Sequence, residues 1–256
     1  MRIVRIATDT GPAFGDLVDD RVHLLEGWPR SHQRTGRSVA WEAAELLVPV
    51  VPSKIVAVGR NYLAHVREMG YEPPPEPSVF LKPPTALVGP GVAVVLPPED
   101  LSDEVQHEAE LGVVIRQHAR NLTVDNALAH VAGFTCADDV SARDLQRRDP
   151  SNTRAKGFDT FCPVGPWVVT DLDVQAGVGV GCRVNGQVRQ AGNTDDLIFG
   201  IPHLLAFITR FMTLLPGDLV LTGSPGGTST LHPGDLVEVE IDGIGVLSHP
   251  VRAAAS

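Results

Sequence analysis

Apolar positions along the chain follow two rhythms. In most segments they alternate with polar residues or run for a few positions between turn signals, as strands do; in a few they recur every three or four residues, as helices do. Residues 1–50 read as short strands and turns ending in Leu-Leu-Val-Pro-Val-Val-Pro, a small N-terminal β unit, and residues 51–256 as a larger domain. From Lys54 the texture changes. An apolar strand over Ile55 to Val58 leads into Gly-Arg-Asn-Tyr-Leu-Ala-His-Val-Arg-Glu-Met-Gly, which has helical spacing and a C′ glycine at Gly70. Pro73 to Pro77 forbid regular structure, so the short polar helix and its Pro-rich connector read either as a mobile flap or as a plain surface loop.

Further along, His-Glu-Ala-Glu-Leu-Gly-Val-Val-Ile predicts a strand, and Asn185-Gly186 predicts a tight hairpin. Pro216-Gly217-Asp218-Leu219-Val220 recurs as Pro233-Gly234-Asp235-Leu236-Val237, each a turn feeding a strand of the β core, with Asp242-Gly243 turning the chain again. Between them Asp196 to Leu215 predicts one helix, broken near Gly200 to Pro202 if at all, with Phe199, Phe207 and Phe211 as its core stripe. The whole is a mainly β, α+β pattern.

The 256 residues and 43% hydrophobic content support a sizeable core. No apolar run approaches the roughly 20 residues that cross a bilayer, and the N-terminus lacks the apolar stretch of an export signal. The expectation is a cytoplasmic protein. Cys136, Cys162 and Cys182 show no Cys-x-x-Cys spacing and are expected to be reduced and buried. A net charge of −10 opposes general binding to nucleic acid or anionic membrane, but leaves room for a small anionic substrate held by local cations and a metal.

Candidate chemistry centres on acidic residues. Alternate positions of a strand share a face, so Glu108 and Glu110 can reach one cavity while Ala109 and Leu111 pack behind them. With Asp139 they look like an all-oxygen site suited to Mg²⁺, Mn²⁺ or Ca²⁺ rather than Zn²⁺. The bland reading of Glu-x-Glu is the wetted face of an edge strand. His107 would point the other way. His65 and Glu68, three apart on the short helix, are neighbours on one face; they form either a surface pair or a dyad in which the carboxylate orients the imidazole. Nucleotide-binding glycine loops and the Gly-x-Ser-x-Gly elbow are absent from the sequence.

Six blocks in order carry a resemblance: Val-Gly-Arg-Asn-Tyr (58–62), Phe-Leu-Lys-Pro (80–83), Glu-Ala-Glu-Leu-Gly-Val-Val-Ile (108–115), Asp-Val-Ser-Ala-Arg-Asp-Leu-Gln (139–146), Ala-Lys-Gly-Phe-Asp (155–159) and Gly-Ile-Gly-Val-Leu (243–247). Over roughly residues 52–251 the chain resembles the fumarylacetoacetate hydrolase family. The resemblance implies a mixed β-sandwich roll, a homodimer, and a divalent cation, Mg²⁺ or Mn²⁺ with Ca²⁺ as a substitute in crystals. It places the metal carboxylates on Glu108, Glu110 and Asp139, preferring Asp139 to the adjacent Asp138. Lys156 falls on the family's lysine, against the plain reading of a solvated side chain. Substrate contacts are implied at Arg60, Tyr62, Lys82, Arg143, Gln146 and Thr228. Thr222 to Thr228 resembles a family turn that cradles a carboxylate, departing from it at Ser224, Gly226 and Thr228; a simple tight turn is the alternative.

The reaction expected from this resemblance is C–C bond hydrolysis of 2,4-dioxo acids, acylpyruvates such as fumarylpyruvate or acetylpyruvate, to pyruvate and a carboxylic acid. The catalytic residues implied are His65, Glu68 and Lys156. The alternative is an isomerase, tautomerase or decarboxylase of 2-oxo dicarboxylates, such as 2-hydroxyhepta-2,4-diene-1,7-dioate or oxaloacetate, with the same metal and enolate chemistry. A non-catalytic scaffold that kept the fold is the remaining reading.

Overall fold

The computed structural model describes residues 1–254 apart from Met69 and Tyr71, and gives the backbone but not the side chain of His65. Strand outweighs helix, 42% to 16%, as the alternating apolar pattern requires, and most strands gather into two sheets. Across the larger sheet the order is Gln33–Ala40, Arg21–Glu26, Ala13–Val18, Arg2–Ile6, Cys162–Val169, Val131–Asp138, Ala109–Ile115, Leu219–Leu221, Ile55–Gly59 and Ser78–Lys82. The smaller sheet runs Gln187–Asn193, Gly179–Val184, Leu236–Ile241, Gly245–Ala253 and Val94–Leu96. Val113 and Phe134 of the first share one apolar cluster with Val180, Val239 and Leu247 of the second, so the sheets form the mixed β-sandwich expected.

The strand that matters most is Ala109–Ile115. Every residue in it is buried, because it sits between Val131–Asp138 and Leu219–Leu221 with both faces covered. An edge-strand reading of Glu-x-Glu is therefore overturned: Glu110 is 1% exposed. The N-terminal strands continue the same sheet, because Arg2 and Ile3 pair antiparallel with Val169 and Val168. Cys136, Cys162 and Cys182 are free and buried. Among the described residues no helix is long and apolar enough to cross a membrane.

Turn chemistry follows the sequence closely. Asn185 and Gly186 adopt φ of 53° and 76° and close Val184 against Gln187, the left-handed pair that matches the twist of a hairpin. The two Pro-Gly-Asp-Leu-Val segments feed different sheets, Leu219–Leu221 in the larger and Leu236–Ile241 in the smaller. The expected helix around residues 59–70 shortens to Leu63–Glu68. Arg60 is left-handed (φ 56°) and Tyr62 bridges to Leu197, which keeps the preceding residues out of the helix. Gly70, at φ 74°, has the conformation of a C′ glycine.

Residues 196–215 do not form one helix. A 3₁₀ turn over Thr194–Asp196 is followed by an α-helix only at Ile201–Thr209, with Gly200 extended before it and Pro202 in its first turn. The buried face is Ile201, Leu204, Leu205 and Ile208, not the phenylalanine stripe. Phe211 lies beyond the helix end and is 53% exposed, and Phe199 and Phe207 are half-buried. The spacing was helical but its phase was set by the start at Ile201. Accordingly Leu204→Ala should cost roughly 2–5 kcal/mol in urea unfolding, as for a large-to-small core change, whereas Phe211→Ala should stay within about 1 kcal/mol; equal losses would restore the phenylalanine face to the core.

Candidate active site

Backbone register builds the site. Ala109 pairs with Asp138 across the antiparallel ladder, and the Asp139 amide donates to the Glu108 carbonyl at 2.9 Å. Glu108, Glu110 and Asp139 therefore converge, all three buried, with one carboxylate oxygen from each lying within 4.8 Å of the others. The adjacent Asp138 turns away. Its Oδ1 accepts the Glu108 N–H at 2.7 Å, and Oδ2 lies 2.9 Å from His249 Nε2, both residues fully buried.

Three buried cations answer two of the three carboxylates. Lys156, on the Thr153–Gly157 helix, places Nζ 2.7 Å from Glu108 Oε2 and 2.5 Å from Asp139 Oδ2, with the Phe80 ring centroid 5.1 Å away. Arg143, which opens the Arg143–Arg148 helix, pairs with Glu108 Oε1, while its Nε and Nη1 donate to Gln106 and Gln146 at 3.0 and 2.8 Å. Lys82 Nζ lies 2.7 Å from Asp139 Oδ1, close enough to pair but off the axis of a hydrogen bond.

Glu110 is different. It has no ion-pair partner among the described residues, and its Oε2 accepts the Gly223 N–H at 2.7 Å. Burial, and then the charges of Asp139 and Glu108, push its carboxyl well above the ordinary range, against the pull of Lys156 and the Gly223 amide. For Lys156, burial pulls the ammonium down, but Asp139 and Glu108 outweigh it and the net shift is upward. The group is thus an all-oxygen donor set with one carboxylate short of positive charge. It could hold a hard divalent cation, and it offers no soft ligand for zinc or copper.

A cavity of about 260 Å³ opens on this cluster, lined by Glu108, Glu110 and Lys156 together with Arg60, Arg143 and Arg147. Gln146, expected from the sequence, also lines it, as does Ser224 of the Thr222–Thr228 turn; Asn152, in the same lining, was not singled out. Arg147 was legible in principle, because it stands four residues after Arg143 and shares its helix face. Three expected contacts are placed elsewhere. Lys82 sits behind Asp139 rather than in the cavity wall. Thr228 donates from Oγ1 to Gln106 Oε1 at 2.8 Å. Tyr62 is buried beside a neighbouring recess that it shares with Glu68, Asp196 and Gly227.

Glu68 docks the short helix: its Oε2 accepts the Gly227 N–H at 3.0 Å, across the turn that also contributes Ser224 to the cavity. The side chain of His65 lies outside the described residues. His107, between the strands rather than in one, turns to other partners as expected, with Nδ1 2.9 Å from Gln190 Oε1 and Nε2 3.0 Å from Ser229 Oγ.

Comparison with known proteins agrees with this architecture. The family model for the fumarylacetoacetate hydrolase C-terminal region matches residues 54–252, and one described as Rv2993c-like, N-terminal, matches residues 1–49. A solved structure of 5-carboxymethyl-2-hydroxymuconate delta-isomerase from Mycobacterium smegmatis superposes with a TM-score of 0.93 at 42% identity, covering 99% of this chain and 100% of that one. The 2-hydroxyhepta-2,4-diene-1,7-dioate isomerase from Mycobacterium marinum gives 0.90 at 40% identity, with both chains fully covered. The human mitochondrial oxaloacetate tautomerase FAHD2B is 43% identical over 223 residues, 82% of this chain and 70% of that protein. By match and by fold, this chain belongs to the fumarylacetoacetate hydrolase family.

Proposed function

We propose that the chain is a divalent-metal-dependent isomerase of short 2-oxo dicarboxylic acids, moving a proton between carbon and oxygen, or between two carbons, through an enolate. The observation that carries this reading is the cavity whose lining includes Arg60, Arg143, Arg147 and Lys156 together with Glu108 and Glu110. Four cations beside a buried carboxylate cluster suit a ligand with two carboxylates. The relatives named as isomerases and as an oxaloacetate tautomerase support the reaction class.

Glu108, Glu110 and Asp139 would hold Mg²⁺ or Mn²⁺. A bound cation of this kind acts as a Lewis acid and stabilises developing enolate charge by several kcal/mol. Lys156, fixed between Glu108 and Asp139, adds a second positive charge beside the same oxygen. Arg143, held by Gln106 and Gln146 and paired with Glu108, would offer its remaining Nη hydrogens to one substrate carboxylate; Arg60, and Arg147 from its pair with Glu104, would receive the other. Proton transfer at the carbon next to the 2-oxo group falls to His65, steered by Glu68. In an isomerisation that proton is returned to the same molecule and the mass is unchanged. The homodimer and the division of the chain near residue 50 belong to the same proposal.

Acylpyruvate hydrolysis is the second reading, favoured by the Glu68–Gly227 bond that docks the helix bearing His65 beside the cavity. There His65 would activate water, which adds to the distal carbonyl; the C–C bond breaks, and the departing pyruvate enolate takes up a proton. A positioned base contributes about 10² to 10⁴-fold, so the two reactions separate by product. Oxaloacetate, 2-hydroxyhepta-2,4-diene-1,7-dioate and fumarylpyruvate, each incubated with Mn²⁺ and followed by NMR and mass, should give isomers of unchanged mass from the first two. Pyruvate with a second acid from fumarylpyruvate alone would select hydrolysis.

His65→Ala should slow the favoured reaction by about 10² to 10⁴-fold while leaving Mn²⁺ binding intact; full activity in this variant removes His65 from the scheme. The raised Glu110 carboxyl gives a pH test. Because its folded value lies above the unfolded one, the proton is held more tightly in the folded protein, and metal-free stability falls as pH rises from about 4.5 through the folded value. Thermal melting in chelator should show that decline, and Mn²⁺ should reverse it by replacing the proton. Glu110→Gln should raise metal-free stability, abolish the Mn²⁺-dependent gain and cost turnover more than the 10 to 100-fold seen for outer-sphere changes; an unchanged Mn²⁺ response would remove Glu110 from the ligand set.

A further inference from the structure

Gln190 is a buried polar residue with no place in the chemistry described above. It lies on the Gln187–Asn193 strand of the smaller sheet and is 1% exposed. Its Oε1 accepts the N–H of Ala109, the residue between the two glutamates, at 2.9 Å, and lies 2.9 Å from His107 Nδ1. Its Nε2 donates to Ser224 Oγ at 2.7 Å and to the Pro225 carbonyl at 2.6 Å. A backbone N–H and a backbone carbonyl fix which end of the amide is which, and all four of its hydrogen-bonding capacities are used.

The geometry around it is a closed circuit. The Ser229 N–H donates to His107 Nε2 at 3.2 Å, so that nitrogen is the acceptor and Nδ1–H donates to Gln190. The Gly223 amide holds Glu110, and the Gly227 amide holds Glu68. The 223–229 turn also lies directly on the strand that carries Gln190. A Cβ on Gly227, which has φ of +95°, would stand 2.0 Å from the Arg189 carbonyl oxygen, and a Cβ on Gly192 would stand 2.7 Å from Pro225 Cβ. The turn therefore has little room to shift without moving Gln190, and Gln190 cannot move without the amide between Glu108 and Glu110.

We infer that Gln190 is a positioning residue that couples docking of the Leu63–Glu68 helix on the Gly227 turn to the setting of the Glu108 and Glu110 carboxylates. Helix docking orders the turn, the turn fixes the Gln190 amide, and the amide fixes the backbone from which both carboxylates project. Coupling of this kind is reciprocal: a cation held by the carboxylates strengthens helix docking to the same extent that docking strengthens the cation. The inference rests on the metal reading of Glu108 and Glu110.

The test is a double-mutant cycle on the whole chain, with Mn²⁺ affinity read by calorimetry and amide hydrogen exchange read over 107–111 and 222–229. Gln190→Met keeps the length of the side chain and removes its hydrogen bonds. It should weaken Mn²⁺ about tenfold, the loss expected of the one among its four hydrogen bonds that holds the Ala109 amide. Glu68→Ala, which removes the acceptor of the Gly227 N–H, should weaken Mn²⁺ about fivefold in the native background and have no further effect beside Gln190→Met. A direct charge effect of Glu68 on the ion would persist in both backgrounds, and a merely structural Gln190 would lower the melting temperature without changing Mn²⁺ affinity. Additive losses, or an unchanged affinity in Gln190→Met, overturn the inference. Should Gln190→Met not fold, Ser224→Ala removes one acceptor of the same amide and must show a smaller loss in the same direction. If the native protein binds no Mn²⁺, the metal reading fails by itself. Exchange then decides the coupling: Glu68→Ala must accelerate exchange at 107–111 in the native background and not beside Gln190→Met.

Discussion

Three carboxylates whose oxygens lie within 4.8 Å of one another in a nearly dry interior repel by roughly 3 kcal/mol per pair even at an effective dielectric constant of 20. The fold meets this cost with buried cations drawn from separate parts of the chain: Lys82 from the end of an outer strand of the larger sheet, Arg143 and Lys156 from two short helices beyond the central strands. None of these side chains has water to retreat to. Each must stay near a carboxylate, so the strand ends and the short helices are tied to the centre of the larger sheet by charge as well as by apolar packing.

That arrangement explains why the cavity lies where it does. A strand buried on both faces leaves Glu110 only 1% exposed, at the wall of the cavity, while the segments beyond the strand end at Asp138 are short and polar enough to line an opening. Glu108 and Asp139 are satisfied by lysine and arginine; Glu110 is left with one backbone amide and the pull of Lys156 at a distance. The imbalance is local, and it sits where a hard cation would relieve it. Of the cations that quiet the carboxylates, Arg143 and Lys156 also line the cavity, and Lys82 does not.

Much of this was legible in the sequence, for identifiable reasons. Period-two spacing predicted a strand carrying Glu108 and Glu110, and the structure starts it at Ala109, directly after Glu108; Asn185-Gly186 has few conformations open to it besides a tight hairpin, and six blocks in order identified the family. What could not be read was anything set by distant partners. Lys82 and Lys156 are equally plausible as surface lysines until the sheet order brings both to Asp139. Gln190 stands in a strand whose neighbours are mostly exposed, so no periodicity marks it as buried. The phenylalanine stripe misled because helical spacing gives a face only once the first helical residue is known, and Gly200 moved that start to Ile201. Tyr62 and Thr228 belong to segments that resemble the family's; in the structure Tyr62 is buried and Thr228 donates to Gln106.

The pairing of Arg2 and Ile3 with Val169 and Val168 has a consequence for handling the chain in pieces. On that side the Cys162–Val169 strand is covered near its start by Leu87 and Val88 and near its end by the N-terminal strand. A version trimmed to begin near residue 50 would bare a row of unpaired amides and carbonyls beside Val168 and Val169, the kind of open margin on which a foreign strand can stack. The first segment thus acts as a selvedge, finishing the cloth of the sheet so that it does not bind to the next one.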